Sequence, residues 1–359
     1  MKLAVVKIVG AVALGVAVLA TTNAQAQEKK KVTYAIATAD LNVGYPFATL
    51  PIALGYYAEE GLDVTVVPGQ SSAATAQLLI SGRADIGMAQ PDPVVIQKAN
   101  ANIPLVSFYA EARHGTNRVI VLPDSPIKGL ADLKGKKVGV NDLGSGGVVW
   151  LKGRLKEIGI GPADVQLIGV GYGTPSFEAL KNGTVDAEVN FTGGIARQIN
   201  AGYPVRQLPM TDADKAAYSY NMFATQAYID ANPDVIAKMG RATAKATIFL
   251  MTNPEAAVHI FWKQYPDRAP KDPNDAKQFT QDLAIIKAQI VDMAADELPI
   301  TFQWGSQSTA VYKQIQQFYV EAGQIKTPID PASFYTSKFE AEYTKFDPQK
   351  IADAAKAYK

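Results

Sequence analysis

Two short stretches of small and hydroxyl residues have the character of an anion-binding site. Ser71 and Ser72 stand where a helix is expected to begin, and Ser145, Gly146 and Gly147 lie between a short apolar strand and another helix. The first turn of a helix leaves backbone N–H groups without partners, and the helix dipole favours negative charge there. We therefore predict that both stretches bind an anionic group, with a tight strand-to-helix turn as the alternative for the glycine-rich one.

Residues suited to catalysis or to metal binding are sparse. The chain has no cysteine, and its two histidines, His114 and His259, are far apart in the sequence. It contains neither a G-x-S-x-G elbow nor a Walker A sequence, and the glycine-rich stretch lacks the G-x-G-x-x-G order of a dinucleotide site. We therefore predict a protein that is not an enzyme and that uses no catalytic residue, no metal and no cofactor.

The hydroxyl stretches belong to a module that occurs twice. Residues 180–190 repeat the pattern of residues 79–89, so that Gly82 corresponds to Gly183 and Asp85 to Asp186. Each module has the pattern of a β-α-β-α-β unit with apolar strands, which favours a mostly parallel sheet flanked by helices. Because each aspartate stands at the start of a strand, we interpret both as turn or cap residues. Two such units predict two lobes with a cleft between them.

Further polar and aromatic residues follow strands at the same sheet edges. Ligands of open α/β sheets bind outside the carboxyl ends of the strands. The additional candidates for ligand binding are Tyr45, Phe47, Thr49, Gln70, Gln90, Tyr172, Asn190, Phe191, Thr192 and Asn221. Arg113, in a polar segment between two strands, is the best cationic candidate, because a guanidinium can bind a carboxylate or sulfonate with two hydrogen bonds. The alternative is a solvated hinge residue.

The N-terminus has the pattern of a secretory signal peptide. Lys2 and Lys7 precede an apolar run over residues 8–20, and a small-x-small sequence ends at Ala26. The apolar run is shorter than the roughly 20 residues that span a bilayer. We predict cleavage near Ala26 and a mature protein in a bacterial periplasm. A formal net charge of +1 without a basic patch argues against nucleic acid as a partner.

The order of these elements predicts how the chain is divided. Residues 1–26 form the signal peptide, residues 27–113 and 216–359 the first lobe, and residues 118–212 the second lobe. The chain is expected to cross between the lobes near residues 111–118 and 212–222. The region after the second crossing has helical spacing and is assigned to the first lobe as a C-terminal extension. We expect a monomer.

Several motifs carry a resemblance to a known family. The export signal, "SGRADIG" and "LADLKGKKVGV" resemble periplasmic substrate-binding proteins of ABC importers. The group concerned is the NMT1/THI5-like, or SsuA/TauA-like, group, which serves nitrate, sulfonates, taurine, bicarbonate and thiamine precursors. The resemblance covers about residues 32–260. It implies a type II periplasmic-binding-protein fold that closes on its ligand by a hinge motion. By position it also implies ligand contacts near Gln70 to Ser72 and from Gln90 to Asp92.

The resulting hypothesis is a binding protein that delivers a small organic anion to an ABC permease. The aromatic residues at the sheet edges favour a sulfonate or carboxylate that carries a ring. One alternative is an enzyme for pyrimidine synthesis on the same scaffold, but such relatives use a histidine-rich, cysteine-containing site. Another alternative is the ligand-binding component of a membrane sensor, which would share the fold and the ligand.

Overall fold

Two five-stranded sheets form the framework of the protein. A computed structural model describes residues 28–211, 217–272 and 275–358, so the predicted signal peptide lies outside the described residues. The first sheet has the order β2-β1-β3-β10-β4, and the second has the order β7-β6-β8-β5-β9. The strands are β1 Lys30–Ile36, β2 Leu62–Pro68, β3 Ile86–Ala89, β4 Leu105–Ala112, β5 Asn117–Val121, β6 Lys137–Val140, β7 Gln166–Gly169, β8 Ala187–Phe191, β9 Arg206–Gln207 and β10 Tyr220–Thr225.

The two sheets have the same plan. In the first sheet β1 pairs in parallel with β2 and β3, and in the second β6 pairs in parallel with β7 and β8. In each sheet a strand from another part of the chain joins antiparallel, β10 beside β3 and β5 beside β8. The predicted α/β fold with two mostly parallel sheets is confirmed. The lobe boundaries proposed above remain a prediction.

The repeated aspartates stabilise equivalent corners of the two sheets. The Asp85 carboxylate accepts a hydrogen bond from Thr33 N at 2.8 Å, and the Asp186 carboxylate accepts one from Lys137 N at 2.9 Å. In return, each aspartate donates its own N–H to the carbonyl of the same partner residue. Both carboxylates are thus engaged with backbone at the starts of parallel strands, as expected for structural residues.

Fourteen helices of the described chain surround the sheets. Their bounds are α1 Pro46–Ala53, α2 Tyr56–Glu59, α3 Ser72–Ile80, α4 Pro91–Ala101, α5 Gly146–Glu157, α6 Thr174–Lys181, α7 Thr192–Asn200, α8 Gln226–Ala231, α9 Pro233–Thr252, α10 Pro254–Gln264, α11 Ala276–Asp292, α12 Thr309–Glu321, α13 Glu340–Tyr343 and α14 Pro348–Ala357. Within the described ranges, none is long and apolar enough to cross a bilayer.

The sequence pattern over residues 49–60 predicts one helix, but the structure contains two. Gly55 adopts a φ of 76°, a left-handed conformation that stops α1 and lets α2 begin at a new angle. Helix α1 also starts earlier than predicted, at Pro46, so Pro51 lies inside the helix and not in its first turn. The sequence pattern also predicts one helix from residue 333 to the end, but the structure contains two short helices there, α13 and α14.

Helix α9 illustrates how the C-terminal extension is held to the first sheet. It begins at Pro233, carries Asp234 in its first turn, and buries Ile236, Met239 and Ile248 in the core beneath that sheet. Its end is set by Asn253, whose side chain accepts a hydrogen bond from Ala256 N and caps α10. The sequence pattern predicts helices over residues 233–252 and 254–264, and these bounds match the structure.

Two later helices do more than cover the first sheet. Helix α11 packs against α7, where Gln281 O accepts a hydrogen bond from Asn200 Nδ2 at 2.8 Å. Helix α12 packs against α5, with the Phe318 ring 4.4 Å from the Arg154 guanidinium. Because α5 and α7 flank the second sheet, the C-terminal extension contacts both halves of the molecule. The assignment of this region to the first lobe remains a prediction.

A buried carboxyl group lies in the core below the first sheet. Glu111 on β4 is 3% exposed, and its carboxyl accepts a hydrogen bond from Thr247 Oγ1 at 3.3 Å. The nearby hydroxyl group of Tyr34 has no hydrogen-bond partner among the described residues. Burial raises the pKa of Glu111 to about 8, so the folded protein keeps this group protonated at neutral pH.

Glu111 is expected to make folding stability depend on pH. An unfolded glutamate ionises near pH 4.5, whereas folded Glu111 ionises near pH 8, so stability is lost as pH rises between these values. Glu111→Gln cannot ionise and should melt at a higher temperature than wild type at pH 8, with no gain at pH 4. Exposed Glu255→Gln is the control and should follow wild type. Melting curves of Glu111→Gln that run parallel to wild type from pH 4 to 8 would contradict this assignment.

Candidate functional site

A cavity lies where the carboxyl ends of strands from both sheets face each other. Water-sized spheres can occupy about 30 Å³ of it, within a total space of about 420 Å³ that includes the part open to solvent. None of the residues described as lining it carries a charged side chain. The lining residues are Ala37, Tyr45, Ser72, Gln90, Asn117, Asn141, Ser145, Gly147, Tyr172, Val189, Asn190, Phe191 and Tyr220.

Helix starts make up much of this lining. Tyr45, Gln90, Ser145 and Phe191 immediately precede α1, α4, α5 and α7, and the side chain of none of them caps its own helix. Helices α1 and α4 begin with proline and lack the first N–H group, whereas α5 and α7 begin with residues that keep it. Uncapped N–H groups at a helix start carry partial positive charge. The starts of α5 and α7 therefore place partial positive charge beside the cavity, although no cationic side chain lines it.

Aromatic rings form one wall of the cavity. The Tyr45 ring lies 6.3 Å from the Phe191 ring and 5.9 Å from the Phe47 ring, which in turn lies 5.6 Å from Tyr220. Burial raises the pKa of Tyr45 to about 12 and raises that of Tyr172 well above its usual value, so both phenols stay neutral. The wall offers flat apolar surface together with hydroxyl groups that can bind a ligand.

Amide side chains of the cavity are oriented by hydrogen bonds. Gln90 Nε2 donates to Asn117 Oδ1 at 3.1 Å, and Gln90 N donates to Ser72 Oγ at 3.1 Å. Asn190 Nδ2 donates to the Glu188 carboxyl at 2.9 Å, and Asn190 Oδ1 accepts from Phe191 N at 2.9 Å. Burial raises the pKa of Glu188 to about 7. These bonds hold the amide groups before any ligand arrives.

The two sheets are held together around the cavity, so the structure is a closed arrangement. Ala73 N, in the first turn of α3, donates to Gly144 O at 3.3 Å, and Tyr172 OH donates to Gln70 O at 3.0 Å. Helices α5 and α3 therefore approach each other through their first turns. On the other side, Thr192 Oγ1 donates to the buried carboxylate of Asp292 at the end of α11.

Several predicted residues border the cavity without lining it. Gln70 and Thr192 join the two halves as just described, and Ser71 caps α3 by accepting from Ala74 N at 3.3 Å. Phe47 packs between two lining tyrosines, and buried Thr49 donates to Tyr45 O at 3.3 Å. A Cβ added to Gly146 would lie 1.9 Å from Gln90 Oε1, so this glycine allows the closest approach of the two halves. The remaining candidates in the lining are Tyr45, Ser72, Gln90, Ser145, Gly147, Tyr172, Asn190 and Phe191.

Three predicted residues lie outside this cavity. Arg113 donates to Ser306 O at 2.8 Å and lies over two aromatic rings near the C-terminal extension. Asn221 is fully buried, and its amide donates to Tyr312 OH at 2.6 Å. Asp92 accepts from Tyr319 OH and lines a separate groove. In each case the side chain is hydrogen-bonded to a residue of α12 or of the segment just before it. Sequence spacing alone does not reveal such a contact.

Five residues of the lining were not among the predicted ligand-binding residues. Asn141 directly follows β6, the same sheet-edge position that singled out Gln90 after β3, so a signal for it existed. Ala37 and Val189 are small or apolar and carry no chemical signal. Asn117 and Tyr220 begin β5 and β10, the two strands that join a sheet antiparallel, and their position depends on long-range pairing.

Neither histidine belongs to the cavity. His114 Nε2 lies 3.5 Å from a Glu297 carboxylate oxygen, and the His259 ring stacks on Phe279 with ring centres 5.0 Å apart. Among the described residues, no group of three or more histidine, aspartate or glutamate side chains could hold a metal ion. The described lining thus presents hydrogen-bonding groups and rings without an acid-base pair.

Two proteins of named function are similar to this chain in sequence. A 4-amino-5-hydroxymethyl-2-methylpyrimidine phosphate synthase of Saccharomyces cerevisiae is 26% identical over 265 residues, covering 69% of this chain and 74% of the yeast protein. The formylaminopyrimidine-binding protein of Halalkalibacterium halodurans is 28% identical over 229 residues, covering 61% of this chain and 66% of that protein.

The fold is also that of solved periplasmic binding proteins. The alkanesulfonate-binding protein SsuA from Xanthomonas axonopodis pv. citri, solved with MOPS bound, has a TM-score of 0.64 at 15% identity, covering 86% of this chain and 99% of that one. The family model described as NMT1/THI5 like matches residues 49–257, more than half of the chain. The chain belongs to the NMT1/THI5-like family and has the type II periplasmic-binding-protein fold.

Proposed function

We propose that the protein is a solute-binding protein of an ABC importer and that its ligand is a small organic anion with a planar ring. The observation that carries this proposal is the combination of uncapped helix starts and an aromatic wall around one cavity with an uncharged lining. Helix starts suit the anionic group, and the rings suit the rest of the molecule.

The anionic group is expected to bind at the starts of α5 and α7. Ser145 and Gly147 at one helix and Phe191 at the other belong to the cavity lining, so both helix starts border the cavity. A carboxylate or sulfonate there would accept hydrogen bonds from first-turn N–H groups that no N-cap side chain caps. These contacts require no buried cationic side chain, which agrees with the neutral lining.

The ring is expected to lie against Tyr45, Tyr220 and Phe191. Offset or edge-to-face contacts with such rings favour a planar ligand over a compact inorganic ion. Relatives support a small organic ligand: one is named for binding a formylaminopyrimidine, and a protein of the same fold is named for alkanesulfonates. The oriented amides of Asn117 and Asn141 can bind ring nitrogen atoms or substituents.

Ligand capture is proposed to occur by opening and closing of the two lobes. The contacts across the cavity leave little room for entry in the closed arrangement, so the sheets must separate to admit a ligand. We propose a periplasmic protein that acts as a monomer and passes its ligand to a membrane permease. A sensor component would use the same cavity and would differ only in its membrane partner.

An enzymatic function is the weaker alternative. The yeast relative is named a synthase, but the described cavity lining holds no histidine, carboxylate or lysine that could transfer a proton. The chain also contains no cysteine. We therefore propose binding without catalysis.

The proposed ligand class can be tested by thermal-shift screening. A ligand that binds only the folded protein raises the melting temperature, by an amount set by its concentration relative to Kd. The panel contains benzoate, benzenesulfonate, alkanesulfonates, nitrate and 4-aminopyrimidines. We expect the largest shifts from the aromatic anions. Larger shifts from neutral aminopyrimidines would contradict the anionic ligand, and a panel without any shift would contradict solute binding.

Closure can be tested at the closest approach of the two halves. In Gly146→Ala the new methyl would overlap Gln90, including its Cβ at 2.7 Å, so the lobes should not close fully. We expect at least about tenfold weaker ligand binding and a larger radius of gyration by small-angle X-ray scattering. Gly169→Ala is the matched control, because no atom lies within 4 Å of its added Cβ. Equal binding by both variants would show that close contact at Gly146 is unimportant.

A further inference from the structure

An arginine beside the cavity forms an ion pair between the two halves of the molecule. Arg197 lies on α7, the helix that begins at the cavity with Phe191 as its N-cap. Its Nη1 atom is 2.9 Å from Asp40 Oδ2, and both side chains are 24% exposed. Asp40 belongs to the loop between β1 and α1, on the other side of the cleft.

The carboxylate of this pair has a second arginine partner. Arg268 Nη1 lies 3.2 Å from Asp40 Oδ1, the oxygen that Arg197 does not contact. Arg268 follows α10 in the C-terminal extension and also contacts its neighbour Asp267 at 3.5 Å. If Arg197 moved away, Asp40 would keep a charged partner and would not become an isolated carboxylate. The cost of releasing Arg197 is therefore reduced.

The ion pair lies close to residues that line the cavity. Burial raises the pKa of Tyr45, while the charge of Arg197 lowers it and that of Asp40 raises it, so both charges act on the Tyr45 phenol. A Cβ added to Gly173, the neighbour of Tyr172, would lie 3.6 Å from Arg197 Nη2. Arg197 is thus a cation beside a cavity whose described lining holds no charge.

We propose that Arg197 binds the anionic group of the ligand, by exchanging the Asp40 carboxylate for the carboxylate or sulfonate of the ligand. This inference rests on the proposed binding of an organic anion and adds the residue that selects it by charge. A guanidinium matches a carboxylate in two parallel hydrogen bonds, and the flexible stem of arginine allows such a change of partner. Arg268 holds Asp40 during the exchange. Arg197 replaces Arg113 as the cationic candidate of the site.

The test compares two probes that share a ring and differ in charge. Benzoate and benzamide are titrated into wild type, Arg197→Gln and Arg268→Gln by isothermal titration calorimetry. Loss of a charged hydrogen-bonding partner should weaken benzoate binding by Arg197→Gln about 10- to 100-fold and leave benzamide binding within about twofold. Arg268→Gln leaves Asp40 without its second partner during the exchange, so it should weaken benzoate binding by a smaller factor than Arg197→Gln and leave benzamide binding within about twofold.

Asp40→Asn separates ligand recognition from a purely structural ion pair. If Arg197 exchanges partners, removal of the competing carboxylate should strengthen benzoate binding a few-fold and leave benzamide binding unchanged. If the pair only holds the closed form, Asp40→Asn should weaken both probes equally, and that result would overturn the inference.

The remaining outcomes separate this inference from the proposed function. Benzoate binding by Arg197→Gln that equals wild type overturns the role of Arg197 while the solute-binding function stands. Equal weakening of benzoate and benzamide by Arg197→Gln also overturns it, because the loss would not depend on ligand charge. A wild-type protein that binds neither probe contradicts the aromatic-anion site itself, and with it this inference.

Discussion

The N–H groups at the starts of α5 and α7, which no N-cap side chain accepts from, are the feature on which the cleft depends. Parallel strands end at one edge of a sheet, and each following helix begins there, so the first turns of several helices collect at that edge. Two sheets that face each other through these edges bring helix starts from both sides to one cavity. The side chains of the N-cap residues Ser145 and Phe191 do not cap α5 and α7, so a ligand can supply the missing acceptors.

The charged side chains near the cavity lie outside its described lining. The described lining is neutral, while the ion pair of Arg197 and Asp40 lies beside it and the acids Glu111, Glu188 and Asp292 are buried. Burial raises the pKa of each of these acids, to about 8 for Glu111 and about 7 for the other two. A carboxylate in the cavity would repel an anion, so its absence from the lining agrees with the proposed ligand class.

The C-terminal extension links the site to the rest of the molecule. Helix α11 contacts α7 and α12 contacts α5, the two helices whose first turns face the cavity. The end of α11 also supplies Asp292, whose main-chain oxygen accepts hydrogen bonds from Arg113 N and His114 N where the chain leaves β4. Residues far from the cavity in sequence therefore help to hold the closed arrangement.

Much of the fold, and part of the site, follows from sequence because the responsible interactions are local. Ser71 caps α3, Gly82 and Gly183 adopt positive φ angles, and α9 and α10 begin and end at the predicted residues. The duplicated pattern predicted two similar sheets and placed Tyr45, Gln90, Ser145 and Asn190 at their carboxyl edges. These signals depend on residues within a few positions of one another.

Only the tertiary structure decided which side chains meet in the cavity. Arg113 and Asn221 stand at promising positions in the sequence, but partners from the C-terminal extension draw them away from the cavity. Arg197 gives no local signal, and its pairing with Asp40 joins residues that lie on opposite halves of the molecule. Backbone conformation is governed by near neighbours, whereas the partners of a long charged side chain are set by how separate elements pack. The sequence by itself determined the two sheets and where the helices begin. Tertiary packing decided which charged side chains lie beside the cavity.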